Sequence, residues 1–170
     1  MQTINLIGID YESIVDGDGV RTVIFFSGCA HNCNGCHNKE SHDFTAGKVF
    51  SEEIQKEIFS HIENAPYISG ITLSGGDCFF NPEPVIDFVI KFKERFPDKT
   101  IWAYTGFVLE EILLNESRKN LFNLCDVLVD GKFEKDKKGF NLKFVGSANQ
   151  RIINVKESMA VGRVVLLYEN

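Results

Sequence analysis

The chain has 170 residues, a net charge of -6 and a sequence pI near 5.2, so nucleic acid is not expected to be its main partner. Apolar residues make up 44% and charged residues 25%, a globular composition that excludes intrinsic disorder. No apolar run approaches the ~20 residues that span a bilayer, and no basic stretch precedes an apolar run at the N-terminus. We therefore expect no membrane partner and a cytoplasmic protein, folded as one domain over residues 1–170.

The first half of the chain alternates between predicted strands and helices. TVIFFSG (residues 22–28) is β-branched and aromatic and predicts a buried strand. Ser51 can cap a helix over residues 51–64, with isoleucines at i, i+4 and i+8 on one face. GITLSGGD (residues 70–77) predicts a strand that ends in a glycine turn, and Pro82 begins a second helix through residue 96.

The second half continues the alternation: TIWAYTG (100–106) predicts a strand, LEEILLNE (109–116) a helix, DVLVDGKF (126–133) a strand and RVVLLYE (163–169) a last strand. This order predicts an α/β fold with a mainly parallel sheet covered by helices. A closed eight-stranded barrel typically needs ~250 residues, so we expect a partial, open (β/α) barrel. In such folds the chemistry lies at the C-terminal ends of the strands, where the cysteine loop, GGD, YTG and DGK all fall.

Three of the five cysteines, Cys29, Cys33 and Cys36, lie in one loop with the spacing C-x3-C-x2-C. In a reducing compartment such a group indicates metal or redox chemistry rather than disulfides. Thiolate metal sites usually have four ligands, and three thiolates on a [4Fe–4S] cluster would leave one iron open for chemistry. The spacing therefore favours an iron–sulfur cluster. Cys125, far off in sequence, is expected to be a small buried apolar residue.

A structural zinc site with His31 or His37 as the fourth ligand is the alternative. Zinc sites usually draw pairs of ligands from two separated segments, because closing a loop is their purpose. Here every nearby ligand lies within nine residues, and no distant C-x2-C follows. The zinc site therefore stays open as the less favoured alternative, with both histidines treated as loop residues.

SGGDCFF (residues 74–80) follows the next predicted strand. Gly75 and Gly76 would let the backbone approach a ligand closely, and Asp77 could accept hydrogen bonds from an ammonium group. A tight strand–helix turn would show the same residues. The position of the motif at the end of a predicted strand is what favours ligand binding. Cys78 is not expected to be a ligand and is either an accessible thiol or a packed one.

Asp130 and Lys132 lie at another predicted strand end, where a solvated Asp-Gly turn is an equally good explanation. Tyr104 and Thr105, in AYTGF, are weaker candidates for the lining of the same pocket. The sequence does not decide whether Arg21 is a buried charge partner or a surface residue.

The cysteine spacing after a strand, followed by GGD, resembles the radical S-adenosylmethionine (radical SAM) enzymes. DGDGVRTVIFFSGC resembles the glycyl-radical activases of that family. The pattern C-x-H-x-C-x-G-C-x-N, with LSGGD, YTGF, DVLVDGKF and GSANQRIINV, is similar to the activases of anaerobic (class III) ribonucleotide reductases, over most of the chain. The chain departs from that pattern at Val145, where Arg is expected, at Cys78, where Pro is expected, and after Asn38, where a Trp is missing.

The resemblance implies a radical SAM-type barrel in which three cysteines hold a [4Fe–4S] cluster and SAM chelates the fourth iron through its amino and carboxylate groups. The glycine-rich motif would bind the SAM amino group, and the Asp-x-Lys pair would help to bind SAM. The metal ligands implied are Cys29, Cys33 and Cys36. The SAM-binding residues implied are Gly35, Cys36, His37, Ser74, Gly75, Gly76, Asp77, Asp130 and Lys132.

The resemblance also implies the reaction. An electron donor of the flavodoxin or ferredoxin kind reduces the cluster, and SAM is cleaved to methionine and a 5′-deoxyadenosyl radical. That radical takes a hydrogen atom from a glycine Cα of the anaerobic ribonucleotide reductase catalytic subunit. No side chain is expected to act as a general acid or base, because the cofactors carry the chemistry. A short, open barrel would let a protein loop enter.

Three alternatives remain. The chain could activate pyruvate formate-lyase by the same chemistry, or act on a small molecule as a deazaguanine-forming synthase does. Gly35 and the segment GSANQ argue against both, by resemblance. A zinc-stabilised binding module without catalysis is the third, and metal analysis separates it from an iron–sulfur protein.

Overall fold

The computed structural model describes residues 3–169 as an eight-stranded sheet with five α-helices. The strands are β1 Asn5–Ser13, β2 Val20–Phe26, β3 Lys48–Val49, β4 Ile68–Gly75, β5 Thr100–Tyr104, β6 Val127–Asp130, β7 Arg151–Asn154 and β8 Leu166–Tyr168. The α-helices are α1 Glu52–Asn64, α2 Glu83–Arg95, α3 Leu109–Ile112, α4 Glu116–Leu124 and α5 Val155–Val161. Within these residues no helix is long and apolar enough to cross a membrane.

The sheet has the linear order β3-β1-β2-β4-β5-β6-β7-β8, so β3 and β8 are its edges. Its centre, β2, β4, β5 and β6, is parallel. β1 is antiparallel to both β2 and β3, and β7 is antiparallel to both β6 and β8. Only β1 and β7 therefore run against the common direction. The predicted α/β class with mainly parallel strands is confirmed. The antiparallel pairings of β1 and β7 on the two sides of the sheet were not part of the prediction.

The first two helices begin where the sequence predicts. Ser51 caps α1, and its Oγ accepts a hydrogen bond from Ile54 N at 3.5 Å. Ile58 and Ile62 are fully buried, as their spacing predicts. Pro82 precedes the first residue of α2, where its missing N–H costs no helical hydrogen bond.

The helix predicted over residues 109–116 is instead two helices, α3 and α4. Asn115 separates them because its side chain caps α4 and accepts a hydrogen bond from Arg118 N at 3.0 Å. Four elements were not predicted at all: β1, β3, β7 and α5. Gly162, at φ 70°, ends α5, and the last strand starts later than predicted.

The hydrophobic core lies mainly on one face of the sheet, where it contacts all five helices. A second, smaller cluster lies on the opposite face, because side chains alternate along a strand. Ile101 and Ala103 of β5 belong to the main core, whereas Trp102 between them belongs to the second cluster. Phe144 and Tyr168 pack against that cluster, with the Phe144 and Trp102 ring centroids 5.3 Å apart.

Arg21 is a buried structural residue at the start of β2. Its guanidinium donates to Thr72 Oγ1 at 2.8 Å, to Ile71 O at 2.7 Å and to Asp18 O at 3.0 Å. Two more hydrogen bonds reach Oγ1 and O of Thr100, at 3.0 and 2.8 Å. Burial lowers the pKa of Arg21 to about 10, which still leaves it charged at neutral pH. Arg21 therefore joins the amino ends of three strands, at the edge away from the cysteine loop.

Candidate active site

A pocket lies at the carboxyl ends of the four parallel strands. Cys29, Cys33 and Cys36, in the loop after β2, all line it. The ends of β4 and β5 contribute the predicted positions Ser74, Gly75, Gly76, Tyr104 and Thr105. Gly106 and Gly131, which follow β5 and β6, also line the pocket. The structure thus brings together the strand ends at which the sequence motifs fall.

The cysteine loop leaves β2 through Gly28 and is fixed to a segment that follows it. Gly28 has φ 99°, and a Cβ atom there would lie 2.4 Å from the ring of Phe44. Gly28 N donates to Ser41 O at 2.7 Å, and Cys29 N donates to His42 O at 3.3 Å. Only glycine satisfies both the backbone angle and the close contact at the loop's entry.

The three thiols are free and partly exposed. Cys36 N donates to Cys33 O at 3.2 Å and closes a turn around Gly35, whose φ is 76°. Burial raises the pKa of Cys29 to about 11, against a hydrogen bond from the His31 backbone that lowers it. Because metals bind the thiolate, binding at Cys29 would release a proton.

The donor set fits an iron–sulfur cluster. Three free thiols from one short loop line one accessible pocket. Within residues 3–169, no three His, Cys, Asp or Glu side chains are arranged to hold a single metal ion. A cubane cluster makes a different demand, because each thiolate binds its own iron atom.

Gly75 and Gly76 bring the end of β4 against the cysteine loop. Gly76 N donates to Phe26 O at 2.8 Å. A Cβ on Gly76 would lie 2.7 Å from Gly28 O and 2.9 Å from Ser41 O, and one on Gly75 would lie 2.4 Å from Phe26 N. The two glycines are therefore required by contacts within the protein, in addition to lining the pocket.

Asp77 is buried, 2% exposed, and does not line the pocket. Its Oδ2 accepts hydrogen bonds from His31 Nε2 at 2.8 Å, Thr105 Oγ1 at 2.8 Å and Gly106 N at 3.0 Å. Its Oδ1 accepts one from Phe79 N at 3.0 Å. The carboxylate that is predicted to meet an ammonium group thus has four donors within the protein.

Asp130 is likewise engaged within the protein. It is 1% exposed, and it accepts hydrogen bonds from Leu109 N at 2.8 Å and from the guanidinium of Arg151 at 2.9 and 2.5 Å. Neither Asp130 nor Lys132 lines the pocket, but Gly131 between them does. Gly35 does not line the pocket either, whereas Cys36 and His37 do.

Comparison with known proteins identifies the family. A family model described as a 4Fe-4S single cluster domain matches residues 15–153. The chain is 40% identical over 142 residues to the anaerobic ribonucleoside-triphosphate reductase-activating protein of Pasteurella multocida (strain Pm70), covering 82% of this chain and 90% of that protein. The chain belongs to the family of anaerobic ribonucleoside-triphosphate reductase-activating proteins.

Two further members of the activating-protein family show the same extent of similarity. The protein of the same name from Haemophilus influenzae is 38% identical over 146 residues, which is 84% of this chain and 93% of that protein. The one from Enterobacteria phage T4 is 40% identical over 140 residues, or 81% of this chain and 86% of the phage protein. The family relationship thus extends well beyond the cysteine loop.

Several pocket residues of this activating-protein family member were not predicted from the sequence. Phe133 lines the pocket, and its ring lies edge-on to His37 with centroids 5.7 Å apart. His42 also lines it, and its Nε2 is buried with no hydrogen-bond partner among the described residues. The local sequence does not signal either residue, because only folding of the chain brings them to the pocket. The other unpredicted residues are Asn38, Ser41, Gly106, Gly131, Gly146 and Gln150.

Gln150 could have been found from the segment GSANQ. Its Oε1 accepts hydrogen bonds from Gly146 N at 2.8 Å and Ser147 N at 3.2 Å, which close the segment into a compact turn. Its Nε2 donates to Gly131 O at 2.9 Å and fastens that turn to the end of β6. The segment therefore completes the pocket wall beside Gly131.

The remaining two thiols are packed in the hydrophobic core. Cys78 is 1% exposed and Cys125 is 4% exposed. Burial raises the pKa of Cys78 well above its ordinary value and that of Cys125 to about 12. Such thiols are inert, so Cys78 is the packed rather than the accessible thiol.

Proposed function

We propose that this chain activates an anaerobic ribonucleotide reductase by generating a glycyl radical on its catalytic subunit. One observation carries the proposal: three free cysteines of one loop line the same pocket as the glycine turn at residues 74–76. The family relationship agrees with it, because the relatives are named as reductase-activating proteins. The cofactors would be one [4Fe–4S] cluster and S-adenosylmethionine.

Cys29, Cys33 and Cys36 would each bind one iron and leave the fourth for SAM. When bound, the cluster and SAM supply the chemistry, in which one electron cleaves the sulfonium to methionine and a 5′-deoxyadenosyl radical that takes the glycine hydrogen atom. A flavodoxin- or ferredoxin-type protein would deliver that electron. The protein's own residues bind, orient and shield these groups, and none acts as a general acid or base.

The pocket offers suitable groups for SAM beside Cys36. Ser74, Gly75 and Gly76 present backbone and hydroxyl groups for the methionine part, with His37 alongside. His42 Nε2 is a buried nitrogen that no group within residues 3–169 satisfies, so a bound molecule could provide its partner.

The adenine ring would lie against Phe133. The Phe133 ring lines the pocket and lies close to Gly35, where a Cβ atom would be 3.6 Å from it. A purine packs favourably on such an aromatic face. Asp130 and Lys132 would act from behind the lining, by shaping the chain around Gly131.

We further propose that residues 1–170 form one radical SAM domain in which the sheet is a partial, open barrel. Its edges, β3 and β8, are not paired with each other. A barrel left open on one side would let a loop of the reductase bring its glycine to the pocket. A small-molecule enzyme has no such requirement.

Electron paramagnetic resonance tests the proposal. The protein is reconstituted without oxygen, reduced with SAM present, and mixed in parallel with an anaerobic ribonucleotide reductase and a pyruvate formate-lyase from the same source. A glycyl-radical doublet that forms with the reductase alone is the expected result, and the Cys36→Ala variant should give none. A doublet with the lyase alone would mean that the protein activates pyruvate formate-lyase and not the reductase.

Two other results would overturn the proposal in different ways. If neither partner gains a radical although the cluster cleaves SAM, the substrate is a small molecule. If the protein binds zinc and no iron, the chain is a binding module without this chemistry.

A further inference from the structure

His31 and Asp77 form a buried contact between two parts of the site. His31 lies in the cysteine loop, midway between Cys29 and Cys33, and Asp77 follows the glycine turn of β4. The His31 Nε2 and Asp77 Oδ2 atoms are 2.8 Å apart, and the two side chains are 6% and 1% exposed. The contact therefore joins two loops that are 46 residues apart in sequence.

The hydrogen-bonding capacity of Asp77 is filled by the protein. A carboxylate has about four acceptor positions. Oδ2 accepts from His31, Thr105 and Gly106, and Oδ1 accepts from Phe79 N. An ammonium group could bind this carboxylate only by displacing one of those donors.

The imidazole of His31 is fixed on its faces as well as at its nitrogen. Its ring centroid lies 4.8 Å from that of Phe80 and 4.5 Å from that of Phe107. Gly106 lies directly against the ring, because a Cβ atom at this position would be 2.4 Å from the imidazole. Two separate segments, residues 77–80 and 106–107, thus hold the side chain in one orientation.

His31 lies two residues from each of two cysteines that would bind the cluster, Cys29 and Cys33. The contact that anchors the His31 side chain therefore also fixes the backbone that carries these two thiols. Groups behind the ligands of a metal site orient those ligands, and the surroundings of an iron–sulfur cluster set its reduction potential.

We propose that His31 and Asp77 act as one positioning unit, which holds the cysteine loop against the ends of β4 and β5 and so places Cys29 and Cys33 for the cluster. In this account Asp77 is a positioning residue and does not bind the SAM amino group. The inference rests on the proposed function, because it concerns the cluster that Cys29 would bind. Groups behind metal ligands typically change metal affinity or activity by about 10- to 100-fold when they are replaced.

Four variants test the unit: His31→Leu, Asp77→Asn, the double variant, and His31→Gln, whose amide can place an N–H near the position of Nε2. We would measure iron per chain at limiting iron, the midpoint potential of the cluster by redox titration, and SAM affinity from the change that SAM causes in the reduced cluster's spectrum. His61→Leu on α1 and the exposed Asp87→Asn on α2 are the matched controls.

We expect both single variants to bind iron about 10-fold more weakly or worse. The midpoint potential should shift equally in the two variants, because each breaks the same contact. The double variant should be no worse than either single one, because both changes break the same contact. His31→Gln should recover most of the iron binding and return the midpoint potential towards that of the unchanged protein. The two controls should match the unchanged protein.

Other outcomes would overturn the inference. If Asp77→Asn weakens SAM binding while iron content and potential stay unchanged, Asp77 binds SAM directly. Additive effects in the double variant would mean that the residues act separately. If the chain binds no cluster, the unchanged protein itself shows no iron–sulfur spectrum. If the chain has another target, the cluster is present and only the glycyl-radical test with the reductase fails.

Discussion

Arg151 donates two parallel hydrogen bonds to Asp130, from Nε to Oδ1 at 2.9 Å and from a terminal nitrogen to Oδ2 at 2.5 Å. The pair connects β7 to β6 next to Gly131, which lines the pocket. Asp130 is almost fully buried, and Arg151 also pairs with the exposed Glu110 at 2.8 Å. The buried carboxylate therefore depends on one cationic partner.

Replacing Arg151 with Met should lower the free energy of unfolding by about 3 kcal/mol, because a buried carboxylate loses its partner. We take the lower end of the usual range because the Arg151 side chain is 30% exposed. Glu110→Gln is the control and should cost less than about 1 kcal/mol, since exposed pairs contribute little. Urea unfolding followed by circular dichroism measures both. Equal losses in the two variants would contradict this account.

Alanine at Cys29, Cys33 or Cys36 should remove most bound iron and abolish SAM cleavage. Cys78→Ala and Cys125→Ala should leave the iron content nearly unchanged, because both thiols are packed in the core. They should instead cost about 1 kcal/mol of stability through lost packing. Iron and sulfide analysis after anaerobic reconstitution checks the first effect, and thermal unfolding checks the second. Loss of the cluster in Cys78→Ala would refute the ligand assignment.

Gly76→Ala should separate the glycine turn from the cysteine loop. The new Cβ would meet two backbone oxygens, Gly28 O at 2.7 Å and Ser41 O at 2.9 Å, and neither can move alone. We expect a stability loss of about 2 kcal/mol and weaker SAM binding. Gly8→Ala is a matched control, because a Cβ atom there meets nothing within 4 Å. Calorimetric SAM titration and urea unfolding of both variants give the comparison.

Buried Cys125 should make the protein less stable at alkaline pH. Its pKa is about 12 in the folded chain, against an ordinary value of 9.0. Above pH 9 the unfolded thiol loses its proton while the folded one keeps it, so stability falls as pH rises from 9 towards 12. The slope from one such group is at most about 1.4 kcal/mol per pH unit.

Cys125→Ser isolates this effect. Serine can keep the hydrogen bond that Cys125 Sγ donates to Leu121 O at 3.3 Å, and it does not ionise in this range. The variant should therefore lose stability less steeply between about pH 8 and about pH 10.5. Urea unfolding at several pH values gives the two slopes. Identical slopes would mean that Cys125 ionises freely in the folded protein.

The elements with a strong local signal could be predicted from the sequence. The strand at residues 22–28 and the helix capped by Ser51 match β2 and α1 closely. The convergence of the strand ends followed from the parallel order alone, because parallel strands share one carboxyl edge. β1 and β7 lacked such a signal, since their pairing is antiparallel and not part of the strand–helix alternation.

The partners of the two carboxylates could not be predicted in the same way. Asp77 and Asp130 both follow strand ends, and their spacing is compatible with ligand binding. Their actual partners, His31 and Arg151, are 46 and 21 residues away in sequence. Local patterns contain no information about such pairs, which form only when the sheet brings distant segments together.

The edges of the sheet are very short. β3 contributes only two residues, including Lys48, and β8 contributes three. A long, flat edge strand offers unpaired N–H and C=O groups on which another chain can add a strand, and short edges with a lysine discourage this. A sheet that does not close would normally risk aggregation in a crowded cell. The short edge strands of this chain offer few backbone groups with which a strand of another chain could pair, even though the sheet does not close.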